Sequence, residues 1–185
     1  MQSCLAFTQR LLDSAFATLS DNLKGVTLEE ALFVPPGGYR SVIGTIKHAA
    51  GWSHAYRSYA FDSSPMSWYA LQWPHGLRDT ILKSQVYLDD LVQWLRQSHE
   101  LWQQNLARVP DHELDQPRPV HWGVTLPLFE IVLTIAHHHV YHAGEINQLL
   151  SIYRQEAWEE GEEVEENNVS GEGHRVVPPW KQAAA

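Results

Sequence analysis

Apolar residues recur at every third or fourth position in four long stretches of the chain, and no useful stretch alternates between apolar and polar residues. This spacing is typical of amphipathic helices, in which one side is buried and the other faces water. The predicted helices cover about residues 4–24, 41–61, 77–108 and 125–156. Four such helices predict an all-α fold, a four-helix bundle with a long connection between the second and third helices.

Composition and charge limit where the protein works and what it binds. The chain of 185 residues is long enough for one core, and we expect a bundle over residues 1–156 and an acidic tail over 157–185. Cys4 is the only cysteine, which excludes a disulfide framework and favours the reducing cytoplasm. A net charge of −9 without a basic stripe argues against a nucleic-acid partner. No segment has the roughly 18 uninterrupted apolar residues of a membrane span.

Four histidines crowd the last predicted helix, in the stretch AHHHVYHAGEINQLL at residues 136–150. His138 and His142 lie one turn apart in the stripe that should face the core, so both rings can reach one metal ion. His139 is three residues before His142 and could take the place of His138. Two histidines at this spacing are a weak signal alone, because a metal site needs a third ligand from elsewhere.

A similar line on the second predicted helix offers one further ligand, His48. The line consists of Val42, Thr45, His48, Trp52, Ala55 and Tyr59. A single buried histidine is often a hydrogen-bonded core residue, so the sequence leaves both interpretations of His48 open.

The stretches GGYRSVIGTIKHAAGW and HHHVYHAGEI together resemble the DinB/YfiT-like superfamily of metal-dependent enzymes, and the resemblance covers about residues 5–156. It implies a four-helix bundle with a long crossover connection and a divalent metal held by His48, His138 and His142. Many relatives carry Arg-Gly-Gln after the last ligand, whereas this chain has Ala-Gly-Glu. The difference removes a cation near the helix and adds Glu145.

Three neutral imidazoles would leave an open coordination position, which is typical of a catalytic site, and both zinc and nickel suit them. For a catalytic proton carrier the candidates are Glu145, Tyr141 and Tyr56, although packing is the commoner role for both tyrosines. Four tryptophans could line a substrate pocket, although packing in the core is the commoner role; they are Trp52, Trp68, Trp73 and Trp122. His121 could approach the open face of the metal.

The family resemblance implies a metal-dependent enzyme that acts on a small molecule with a thiol or water, and thiol S-transfer is favoured over hydrolysis. The alternative is a non-catalytic metal-binding or stress-associated interaction protein. A low-molecular-weight thiol is the expected second substrate. We also expect a homodimer, because Phe16, Trp94 and Trp102 cannot all be buried in one small core.

Overall fold

Four long helices form the framework of the computed structural model. These are α1 (Cys4–Asp21), α3 (Val42–Phe61), α4 (Gln85–Leu106) and α5 (Leu128–Gly161), with the five-residue α2 (Leu28–Leu32) after α1. Helix α1 packs mainly against α5, and α3 packs against both α4 and α5. The structure describes residues 3–38, 40–66, 68–71, 73 and 84–161, and the side chains of α5 as far as residue 154. This architecture confirms the all-α prediction.

Serine side chains fix where three of the long helices begin. Ser3, Ser41 and Ser84 each accept a hydrogen bond from the backbone N–H three residues ahead, which satisfies a donor that has no partner inside the helix. The predicted start of the second long helix at Ser41 is therefore confirmed. The early part of the predicted third helix, residues 77–83, lies outside the described residues.

A small antiparallel hairpin stands where the sequence predicts the start of the last helix. Strand β1 (Pro117–Pro119) pairs with β2 (Thr125–Pro127), and Gly123 lies in the turn between them with a φ of 84°. Helix α5 therefore begins at Leu128 instead of residue 125. Its other end reaches Gly161, beyond the predicted end at residue 156. Residues 162–185 of the predicted acidic tail lie outside the described residues, and the tail stays a prediction.

The core contains most of the large aromatic residues on which the homodimer prediction depends. Trp94 is 5% exposed in one core cluster, and Trp102 is 0% exposed in a second one. Phe16 is only partly buried, against the cluster of Trp94. The homodimer stays a prediction. Among the described residues, no helix has the length and apolar character needed to cross a membrane.

Candidate metal centre

Two neighbouring helices bring three histidines to one point inside the bundle. His48 comes from α3, and His138 and His142 come from successive turns of α5, and each offers a ring nitrogen within 4.8 Å of the other two. The ring centroid of His48 lies 5.1 Å from that of His138 and 4.9 Å from that of His142. The Nε2 atoms of His138 and His142 are 3.0 Å apart. The three residues named by the sequence are thus together in space.

A carboxylate from α5 orients one of these rings. The Nδ1 atom of His142 lies 2.7 Å from Oε2 of Glu145. Because an ionised carboxylate can only accept, Nδ1 carries the proton and donates it, which leaves the lone pair on Nε2. That lone pair is on the side of His138, as a metal ligand requires. Partners of this kind fix the tautomer and orientation of metal-binding histidines.

Burial keeps the three rings neutral. It lowers the pKa of His48 to about 4 and that of His138 to about 2, and it lowers the pKa of His142 as well. The positive charge of Arg40 lowers all three pKa values further, while Glu145 acts in the opposite direction on His48 and His142. A neutral imidazole is the form that binds a metal, so protons do not compete for these nitrogens at neutral pH.

The donor set fits a divalent metal such as zinc. Zinc–nitrogen bonds at tetrahedral angles separate ligand nitrogens by roughly 3.3 Å. The two Nε2 atoms of His138 and His142 are 3.0 Å apart, and all three ligand nitrogens lie within 4.8 Å of one another. Small adjustments of the side chains are therefore enough to reach the spacing in a zinc site. Nδ1 of His138 is buried without a hydrogen-bond partner, so among the described residues this ring lacks the acceptor that His142 has in Glu145.

The three predicted proton carriers lie in different surroundings, and Tyr56 is buried with its ring 5.7 Å from that of Trp52. Glu145 is held by His142, and its side chain is 31% exposed. Tyr141 is 69% exposed, and its ring meets that of His142 edge-on at 5.1 Å. Both therefore lie beside the histidine group, Glu145 as a partner of one ring and Tyr141 at the rim.

An aromatic wall adjoins His48. Trp52, one turn further along α3, stacks on Trp68 at 4.8 Å, and the two indoles lie 6.3 and 6.4 Å from the ring of His48. Gly51 makes this arrangement fit, since a Cβ atom there would lie 2.6 Å from Trp68 and 3.0 Å from Trp73. The connection after α3 is thus packed directly on the helix that carries His48.

The other aromatic candidates divide between this wall and the core. Trp73 packs against Trp94 at 4.7 Å. The hairpin turn places His121 against Trp52 at 4.9 Å and Trp122 against Tyr56 at 6.1 Å, so both extend the wall. Among the described residues, the group that could hold a metal does not include His121.

The remaining histidines of the cluster have different positions. His137 is exposed on α5. His139 is 0% exposed and meets Phe16 edge-on at 5.7 Å, and neither of its ring nitrogens has a hydrogen-bond partner. His139 is outside the converging group, so the structure favours His138 over His139 as the partner of His142.

Sequence reasoning missed Arg40. This residue directly precedes the cap of α3, and its charge acts on all three histidines. The sequence did contain a signal for Arg40. A cationic residue stands next to the start of a helix that carries a candidate ligand, and a glycine, Gly44, stands one turn before that ligand.

Comparisons with known proteins agree with this fold. The sequence model of a family described as the DinB superfamily matches residues 8–146. A crystal structure titled as the conserved protein of a locus from Enterococcus faecalis is similar in fold, with a TM-score of 0.56 and 16% identity. The similarity covers 81% of this chain and 96% of that one. No curated protein matches the sequence.

Proposed function

Because this chain belongs to the DinB superfamily, we propose that it holds a divalent metal through His48, His138 and His142 and transfers a thiol to a small electrophile. The observation that carries the proposal is the convergence of three ring nitrogens from two helices within 4.8 Å. Zinc and nickel are the proposed metals, because imidazole suits both. When bound, such a metal supplies an open coordination position and lowers the pKa of a thiol or water there.

The residues around the metal support this chemistry in different ways. Glu145 holds the tautomer of His142, so the lone pair on Nε2 stays directed at the metal. Trp52 and Trp68 offer a flat apolar surface beside His48 that excludes water and can receive the body of an electrophile. Tyr141 is the proposed proton carrier, because its exposed ring next to His142 can exchange a proton with water.

The proposed reaction is a substitution at an electrophilic carbon. The thiol passes its proton through the hydroxyl group of Tyr141 to solvent, and its sulfur forms a new bond to carbon. The bond from that carbon to the leaving group breaks, and the leaving group departs with the electron pair. No oxidant or reductant is needed.

The experiment follows consumption of monochlorobimane, a small electrophile, by the zinc-loaded or nickel-loaded protein with and without L-cysteine. The proposal expects enzyme-dependent consumption only when both metal and thiol are present, and none with a His138→Ala, His142→Ala double variant. The matched control is His137→Ala, which changes an exposed neighbour.

Other outcomes identify the alternatives. Metal-dependent cleavage of p-nitrophenyl acetate that needs no thiol would replace thiol transfer by hydrolysis. A protein that binds metal but accelerates neither reaction would favour the non-catalytic metal-binding or interaction protein.

A further inference from the structure

Arg40 lies across the first turn of α3, towards the end of the site opposite the aromatic wall. A Cβ atom at residue 44 would lie 2.6 Å from Cγ of Arg40 and 3.4 Å from its Cδ. The side chain of Arg40 can therefore follow this path only because residue 44 is a glycine. Gly44 is one helical turn before His48, on the same face of α3.

The positive charge at the end of this side chain acts on the candidate ligands. Burial is the main cause of the lowered pKa values of His48, His138 and His142, and the charge of Arg40 contributes to each of them. Among the described residues, Arg40 lowers the pKa values of all three histidines, and Glu145 raises those of His48 and His142. The N-terminus of α3 adds positive potential at the Arg40 end.

Three features thus follow one another along one face of α3. The aliphatic part of the Arg40 side chain lies over Gly44, the candidate ligand is His48, and the apolar surface begins at Trp52. Successive positions are one turn apart, roughly 6 Å along the helix surface. Such an order suits substrates that place a charged group on one side of the reacting atom and an apolar group on the other.

We propose that Arg40 is an anion subsite that binds the carboxylate of the thiol, so that the thiol substrate is a small mercapto acid. This inference rests on the proposed function, because the sulfur must occupy the position beside His48. A guanidinium carries five N–H donors in a planar fork that matches a carboxylate, and it can engage more than one partner at once. The electrophile then occupies the side of Trp52 and Trp68.

The experiment compares two thiols that differ in a carboxylate, mercaptoacetate and 2-mercaptoethanol. Binding to the cobalt-loaded protein is measured from the absorbance change when a thiol reaches the metal, and binding to the zinc-loaded protein is measured by calorimetry. We expect mercaptoacetate to bind the wild-type protein roughly 10-fold or more tightly than 2-mercaptoethanol, because hydrogen bonds between its carboxylate and the guanidinium involve charged groups and are stronger than neutral ones.

Two variants test the role of Arg40 in different ways. Arg40→Gln should remove most of this preference and leave the affinity for 2-mercaptoethanol within about twofold. Gly44→Ala keeps the charge and favours the helix, but its methyl group displaces the Arg40 side chain, so it should also reduce the preference. Lys47→Gln is the matched control. It removes one positive charge next to His48 from a side chain that lies over Trp73, and it should keep the preference.

The outcomes separate this inference from the proposed function. Equal binding of both thiols to the wild-type protein, or an equal loss of both in Arg40→Gln, overturns the subsite and leaves metal-dependent thiol binding in place. A wild-type protein that takes up neither zinc nor cobalt overturns the proposed function and the subsite together.

Discussion

Nδ1 of His142 donates a hydrogen bond to Oε2 of Glu145 across 2.7 Å, one turn along α5. The same ring directs Nε2 at Nε2 of His138, 3.0 Å away. One side chain therefore joins an outer carboxylate to the candidate metal position, and its orientation depends on both contacts.

Replacing Glu145 by alanine should weaken zinc binding roughly 10- to 100-fold, because His142 loses the acceptor that fixes its tautomer. Glu145→Gln should have an intermediate effect, since an amide oxygen can still accept from Nδ1. The measurement is competition for zinc against a chromophoric chelator. Glu130→Ala on the same helix is the control, and an equal effect of both alanine variants would contradict the role of Glu145.

Single alanine substitutions should separate ligands from neighbouring histidines. His48→Ala, His138→Ala and His142→Ala each remove one of three donors, so each should lower zinc affinity by far more than His137→Ala or His112→Ala. The comparison of His138 with His137 is the sharpest, because the residues are adjacent on α5 and only His138 belongs to the group. Similar affinities for all five variants would show that zinc binds elsewhere.

The same substitution at two helical glycines should have opposite effects on stability. Gly51→Ala places a methyl group 2.6 Å from Trp68 and 3.0 Å from Trp73, and should lower the free energy of unfolding by roughly 1–2 kcal/mol. Gly144→Ala meets nothing within 4 Å and should raise it by up to about 1 kcal/mol through helix propensity. Urea unfolding followed by tryptophan fluorescence measures both, and an unchanged or raised stability of Gly51→Ala would contradict the packing described here.

Acid should destabilise the fold through His54, which stacks on Trp94 at 4.6 Å. Burial lowers the pKa of His54 from 6.5 to about 4, so between these values the unfolded chain binds a proton that the folded chain does not. The free energy of unfolding therefore falls as the pH drops from 6.5 towards 4 and changes little through this group above or below that window.

His54→Gln should remove this contribution. A chelator is present in these measurements. As the pH falls from 6.5 to 4, the free energy of unfolding of the wild type should fall by roughly 1–3 kcal/mol more than that of His54→Gln. Urea titrations at several pH values measure it. The exposed His112→Gln is the control, and a difference that stays constant with pH would contradict the assigned burial effect.

Periodicity alone was enough to predict the four long helices and the inward face of α5, although it did not indicate the five-residue α2. Leu128, Ile131, Ile135, Ile146 and Leu149 are all buried, as their spacing of three and four indicates. His138 and His142 follow the same period and were found with them. His48 could not be assigned in this way, because a lone histidine in a pattern does not reveal which helix lies opposite. The family resemblance supplied that link.

Features outside the helical period were missed. The strands of the hairpin have three residues each and contain prolines, so they are too short to show an alternating period. The position of Arg40 depends on the missing side chain of Gly44, and the burial of His139 depends on Phe16 of α1. Phe16 and His139 are far apart in the sequence, and the path of Arg40 depends on the course of the backbone before α3, which the helical period does not reveal.

The metal content of the purified protein tests the central claim most directly. Elemental analysis should give close to one zinc or nickel ion per chain, and the His138→Ala, His142→Ala double variant prepared in parallel should contain almost none. A wild-type protein that is free of metal and also takes up no added zinc or nickel would contradict the proposed metal centre. An equal metal content in the double variant would contradict the assignment of these two ligands.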